Sequence, residues 1–233
     1  MSFKDNITDW YSKCRKGDGT SKIKNDKNFK KHMIKPCSRI MLIGNSGSGK
    51  TTALLELIHR QGEKYYDIII FNPATTDEPL LNYLGERIEG IKFINDPDEL
   101  PDLTEFDDDS KHLEKLIVFD DIINLPKKDL VKIQKWANSS RKMGFTNVFL
   151  VQNYTDAPIQ IRRNCQYFMI FRLNDVNTIK QILKNHNNNG DNKDDVLNAY
   201  FHATEKPKDF FTLDLTPDSV ARYRHNFTDI IHI

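Results

Sequence analysis

Gly44-Asn45-Ser46-Gly47-Ser48-Gly49-Lys50-Thr51 fits the pattern G-x-x-x-x-G-K-[ST] at every required position. Each part of that pattern has a physical task in holding phosphate. The glycines let the backbone curl until successive N–H groups point inward as an anion nest. A helix that follows directly offers its positive N-terminal end to the same charge. Lys50 is long enough to reach β- and γ-phosphates, the Thr51 hydroxyl is a hard oxygen ligand for Mg²⁺, and Thr52 extends the loop into the first helical turn. The nucleotide-binding set is therefore Gly44, Asn45, Ser46, Gly47, Ser48, Gly49, Lys50, Thr51 and Thr52.

A second group of polar residues stands at the end of apolar runs. Leu116-Ile117-Val118-Phe119 closes on Asp120-Asp121, and Val148-Phe149-Leu150-Val151 closes on Gln152. In open α/β sheets ligands bind outside the carboxyl ends of the strands, where such residues project. Asp120 is the expected Mg²⁺ ligand beside Thr51. Asp121 is the candidate for polarising an attacking water, and Gln152 for sensing the terminal phosphate or positioning that water. Arg141, Arg162 and Arg163 are the cations that could neutralise charge in a phosphoryl-transfer transition state. The expected ligands are thus ATP and Mg²⁺, and the expected reaction is ATP hydrolysis.

The elements that must position these residues are legible as texture. Ile40–Ile43, Asp67–Phe71, Ile91–Ile94, Leu116–Phe119, Val148–Val151 and Tyr167–Phe171 read as short buried strands, and Phe210–Leu213 as a last one. Helical spacing of apolar residues follows Lys50, runs from about Lys127 to Lys142, and recurs from Val176 to Leu183. Apolar strands alternating with helices predict an α/β fold: a P-loop NTPase three-layer sandwich, ASCE/RecA-like, with a mostly parallel central sheet and helices on both faces. Residues 38–233 are expected to form this domain and residues 1–37 a basic arm outside its core.

Charge is unevenly spread. The 233-residue chain has a formal net charge of +1, yet residues 1–39 carry nine Lys and two Arg against four Asp, about +7. Such an arm can lie on a phosphate backbone or remain a solvated tail. Residues 95–114 are strongly acidic and read as a surface loop. The three cysteines are widely separated, which gives neither a zinc pattern nor a disulfide framework and suits a reducing intracellular compartment. No apolar stretch is long enough for a membrane span.

Four blocks, Ile40–Thr52, Tyr66–Pro73, Leu116–Ile122 and Ser140–Arg172, follow one another in an order that resembles the FtsK/HerA superfamily. Within it the order is similar to the viral genome-packaging ATPases of the poxvirus type, found in large DNA viruses and virophages. The last block, with Ser140–Phe145, Gln152-Asn153, Pro158–Asn164 and Tyr167–Phe171, narrows the likeness most. The family often has Arg-His where this chain has Arg141-Lys142. The resemblance implies a homo-oligomeric ring, pentameric or hexameric, that translocates double-stranded DNA into a preformed capsid and meets a capsid protein at the packaging vertex. It implies that Gln152 is the third-motif polar residue and that Arg162 or Arg163 acts in trans as an arginine finger. It also implies a location in the host cytoplasm or viral factory, or in association with the virion.

Other classes stay open on residues alone. A P-loop kinase would need an Arg-bearing lid, which residues 174–233 do not offer clearly. A GTPase would need Asn-Lys-x-Asp after a buried strand. Those letters occur at Asn192-Lys193-Asp194-Asp195, but after a polar Asn tract. A nucleotide-gated DNA-binding or capsid scaffold protein with little hydrolysis is the non-enzymatic reading.

Overall fold

A computed structural model describes residues 27–62, 64–73, 79–106, 113–186, 190–216 and 219–233. Nine strands form a single sheet among these residues, in the order β3-β2-β4-β5-β1-β6-β7-β8-β9. They are β1 (Arg39–Ile43), β2 (Ile68–Phe71), β3 (Ile91–Ile94), β4 (Lys115–Asp120), β5 (Phe145–Val151), β6 (Tyr167–Phe171), β7 (Phe210–Asp214), β8 (Tyr223–His225) and β9 (Asp229–Ile231). Pairing is parallel from β3 across to β6 and antiparallel from β6 to β9.

Seven helices accompany the sheet among the described residues: α1 (Phe29–His32), α2 (Lys50–Gln61), α3 (Pro79–Arg87), α4 (Lys127–Ser140), α5 (Ile159–Asn164), α6 (Val176–His186) and α7 (Lys193–Ala203). Side chains alternate across a strand, and here both faces are covered. Met41, Ile43, Ile117, Phe119, Phe149 and Phe168 point to one side, where they pack with residues of α4, α5, α6 and α7. Ile40, Leu42, Leu116, Val118, Val148 and Met169 point to the other, under α2 and α3. The result is the expected three-layer α/β arrangement around a mostly parallel sheet.

The chain joins the core before the expected boundary at residue 37. Ile34 is buried in the cluster beneath α2, and His32 and Cys37 are buried with it. The peptide N–H of Lys35 donates to the Tyr167 hydroxyl at 3.0 Å. Arg39 is also structural: its guanidinium donates to the carbonyls of Ala137 and Asn138, and burial lowers its pKa. Residues 1–26 of the basic arm lie outside the described residues.

The acidic segment is anchored rather than loose where it is described. Leu100, Leu103 and Phe106 pack against the core, and the Trp136 indole N–H donates to the Pro101 carbonyl at 2.8 Å. Its carboxylates have local work: Asp96 caps one 3-10 turn and Asp102 the next. The helix expected to reach Lys142 ends at Ser140 and tightens into a 3-10 turn over Arg141–Met143, which Gly144 closes at a φ of 86°. No described helix is long and apolar enough to cross a membrane.

Candidate nucleotide-binding site

Register brings the polar strand ends together. Ile43 of β1 pairs with Val151 of β5, and Leu150 of β5 with Asp120 of β4. Gly44, Gln152 and Asp121 therefore leave three neighbouring strands at one rim of the sheet. The Gly44 N–H donates to the Val151 carbonyl at 3.1 Å, which fixes the start of the loop against β5.

The loop itself is tight. A methyl group on Gly44 would stand 2.4 Å from Ser48 Oγ and 2.8 Å from Phe171 Cβ, so only glycine fits. The Ser48 N–H donates back to the Asn45 carbonyl at 3.1 Å. Gly49 takes a φ of 107°, outside the range of ordinary L residues, and delivers the chain into α2 at Lys50. Ser48 Oγ is buried without a hydrogen-bond partner among the described residues.

Lys50 Nζ donates to the carbonyls of Gly44 at 2.6 Å and Asn45 at 3.0 Å. Burial lowers its pKa, while the carboxylates of Asp120 and Asp121 pull the other way and favour the ammonium. These carbonyl bonds are ones an incoming phosphate can replace, because a charged acceptor holds an ammonium more strongly.

Asp121 is the unusual backbone position. Its φ of 50° and ψ of 45° are left-handed, and its side chain makes no capping bond to the 3-10 turn that follows over Ile122–Asn124. Asp tolerates this region better than most residues. The carboxylate is thus held at the rim by a constrained backbone rather than spent on a helix cap.

A cleft of about 330 Å³ opens here, lined by Ser46, Gly47, Gly49, Lys50, Thr51, Thr52, Asp120, Asp121 and Gln152. That volume lies within the range of small-molecule sites. Gly44, Asn45 and Ser48 form the loop behind it. A Thr hydroxyl and a carboxylate are hard oxygen donors of the kind Mg²⁺ takes together with substrate oxygens and water. No group of three or more His, Cys, Asp or Glu suited to a metal occurs among the described residues, so a self-sufficient protein cage is not formed there.

The arginines stand elsewhere. Arg162 donates from Nε to the Ala157 carbonyl at 3.0 Å and lies 4.6 Å over the Tyr154 ring. Arg163 is exposed on the same short helix, and neither lines this cleft. Arg141 precedes β5 and so sits toward the opposite rim. The Asn-Lys-x-Asp letters are explained by a helix start: Asn192 caps α7 by accepting from the Asp194 N–H at 3.0 Å.

Sequence reasoning missed Asn72, Asp156 and Lys208, which also line the cleft. Asn72 had a signal, since it ends β2 at the same rim. Asp156 and Lys208 arrive through turns with no motif to mark them.

Comparison with known proteins bears on the same residues. Residues 26–85 and 94–221 match the family described as Poxvirus A32 protein. The DNA packaging protein OPG160 of Variola virus is 26% identical over 180 residues, covering 73% of this chain and 65% of that protein. OPG160 of Vaccinia virus (strain Copenhagen) is also 26% identical, over 72% of this chain and 65% of its own length. The chain thus spans 65% of the length of these curated relatives. Among solved structures, the genome packaging NTPase B204 from Sulfolobus turreted icosahedral virus 2 in complex with AMPPCP superposes with a TM-score of 0.53 at 13% identity, covering 84% of this chain and 98% of that one. The pCW3 conjugation coupling protein TcpA, a monomer form with ATPgS, gives a TM-score of 0.55 at 16% identity, over 84% of this chain and 63% of that one. These likenesses show a shared fold. With the family match running through the Gly44–Thr51 loop, Asp120-Asp121 and Gln152, the chain belongs to the Poxvirus A32 protein family.

Proposed function

We propose that this protein hydrolyses ATP to drive double-stranded viral DNA into a preformed capsid. The observation that carries the reading is the convergence of Lys50, Asp120, Asp121 and Gln152 on one cleft. It occurs in a member of a family whose relatives include proteins named for DNA packaging. The nucleotide analogues AMPPCP and ATPgS in the B204 and TcpA structures add support for ATP as the ligand.

In this reading the nest and Lys50 hold the phosphates, and Thr51 with Asp120 holds Mg²⁺. Held by Thr51 and Asp120, the ion would offset the negative charge of the phosphates. Asp121 accepts a proton from water as the water oxygen attacks the γ-phosphorus. The bond to the β,γ-bridging oxygen breaks, giving ADP and phosphate, and Gln152 orients the water. The remaining positive charge comes from a neighbouring subunit in a ring, pentameric or hexameric. Arg163 is the better-placed finger, because Arg162 is already engaged by Ala157 and Tyr154 within its own chain. The capsid protein at the packaging vertex is the second partner.

The deciding experiment is ATP turnover across a protein-concentration series, with and without double-stranded DNA, with Lys50→Ala as control. Specific activity that rises with concentration and with DNA is expected. Turnover independent of both would overturn the ring motor in favour of a kinase or a scaffold.

A further inference from the structure

Lys208 sits where the turn after α7 meets the phosphate-binding loop, on the side of the cleft away from Asp121. A Cβ built on Gly49 would lie 3.1 Å from both Cβ and Cγ of Lys208, so the lysine stem rests on the loop beside Lys50. The backbone of Lys208 takes a φ of 71°, a strained value for a residue with a long side chain. Its ammonium is exposed and has no ion-pair partner among the described residues.

The strain is held in place by the antiparallel extension. Asn226, itself left-handed at a φ of 52°, donates its backbone N–H to the Phe210 carbonyl and accepts from the Phe210 N–H at its side-chain oxygen. Its side-chain amide donates to Asp209 at 3.0 Å, and His225 Nε2 lies 3.0 Å from the other Asp209 oxygen. Four residues are thus committed to fixing a turn from which Lys208 lines the cleft.

Strand order says which part of the nucleotide that charge meets. The loop rises from β1. Asp120, Asp121 and Gln152 come from β4 and β5 on one flank, so the terminal phosphate faces that flank. Lys208 comes from β7, reached through β6 on the other flank. The part of the molecule that stays after the terminal phosphate leaves lies on this second side.

We propose that Lys208 binds the nucleoside-diphosphate portion of the nucleotide in cis and so sets the affinity for ADP, an inference that rests on the nucleotide-binding reading of the cleft. One charge-assisted contact near the surface corresponds to about tenfold in affinity.

The test is equilibrium binding of a fluorescent ADP analogue to the full chain, for wild type, Lys208→Ala, Lys208→Gly, Lys208→Arg and Lys50→Ala, with thermal unfolding in parallel. Lys208→Ala and Lys208→Gly should each weaken ADP by about tenfold, and Lys208→Arg should restore most of it. Lys208→Gly should at the same time raise the melting temperature, because glycine accepts the left-handed backbone without strain. Affinity and stability moving in opposite directions separate a ligand contact from a structural role. Wild-type binding with both neutral variants within twofold overturns this inference alone. Loss of affinity that tracks loss of stability, with no rescue by arginine, also overturns it. Wild type that binds no ADP, like Lys50→Ala, overturns the reading of the cleft as well.

Discussion

Asp121→Asn is the substitution whose outcome the backbone allows to be worked out most fully. The residue stands at φ 50° and ψ 45°, where Asn is as well tolerated as Asp. Folding should therefore be undisturbed, and the amide keeps the shape of the carboxylate. What is lost is the proton acceptor. General-base contributions are typically about 10²–10⁴-fold, which is about 3–5 kcal/mol of barrier at 1.36 kcal/mol per tenfold. Single-turnover ATP hydrolysis, begun by adding Mg²⁺ to preformed complex, should slow by that factor while equilibrium ATP binding stays within about threefold. Asp121→Glu keeps the charge but places a longer side chain on a left-handed backbone, at about 1 kcal/mol. In a domain of this size that lowers the melting temperature by about 2–4 °C. The two variants together separate charge from backbone. Hydrolysis by Asp121→Asn within tenfold of wild type, with ATP bound normally, would refute the assignment of Asp121 as the base.

Gly44→Ala should destabilise the fold by about 1–3 kcal/mol and weaken ATP more than tenfold, whereas Gly47→Ala, whose added methyl meets nothing within 4 Å, should cost only about 1–2 kcal/mol for its left-handed backbone at φ 73° and weaken ATP less than tenfold; chemical denaturation and nucleotide binding report both. Asp214→Asn strands the fully buried Arg224, now 3.2 Å from its carboxylate, and should cost about 3–5 kcal/mol, a drop of about 6–20 °C in Tm. His186 is buried against Phe168 and Tyr154, and burial, then Arg162 and Arg222, lowers its pKa from 6.5 to about 4. A depressed pKa means the unfolded chain takes the proton first, so stability present above pH 6.5 is lost as pH falls towards 4, by about 3 kcal/mol; His186→Phe should flatten that slope in urea titrations. Arg163→Ala should lower DNA-stimulated turnover about 10³-fold without weakening ATP binding, and Arg162→Ala should act through stability instead.

Buried strands were the most legible part of this fold, for a physical reason. A strand covered on both faces must be apolar throughout, so Ile40–Ile43, Ile68–Phe71 and Leu116–Phe119 announce themselves without any alternation to interpret. The same logic made Asp120 and Gln152 readable, as the first polar residues where such a run meets water. Elements stabilised by tertiary contact were silent. The short α5 carries two charged arginines in six residues, and α3 has Gly85 within its span. Strand β8 has Arg224 in the interior, which the carboxylate of Asp214 makes tolerable. Lys208 enters the cleft because Asn226 and Asp209 hold its turn, an arrangement between residues far apart in sequence that spacing does not encode.

Coverage on both faces has a consequence for how the strands find their partners. In a sheet with one wet face, sliding a strand by one residue turns its apolar side outward, and water forbids the slip. Here Val148 and Phe149 are both fully buried, as are Ile117 and Val118, so a slipped strand would still bury grease on either side. Hydrophobicity alone leaves the alignment nearly degenerate. The degeneracy is lifted by polar residues at the strand beginnings. Thr146 donates to Glu114 at 2.9 Å, Ser140 meets Asn147 at 3.1 Å, and Lys64 reaches Glu114 at 2.7 Å. Shifting β5 by one position would break the Thr146–Glu114 and Ser140–Asn147 bonds together, at about 1–3 kcal/mol for each buried group that loses one. The alignment that brings Gly44, Asp121 and Gln152 to one edge is therefore enforced from the far edge of the sheet, the full length of a strand away from any nucleotide.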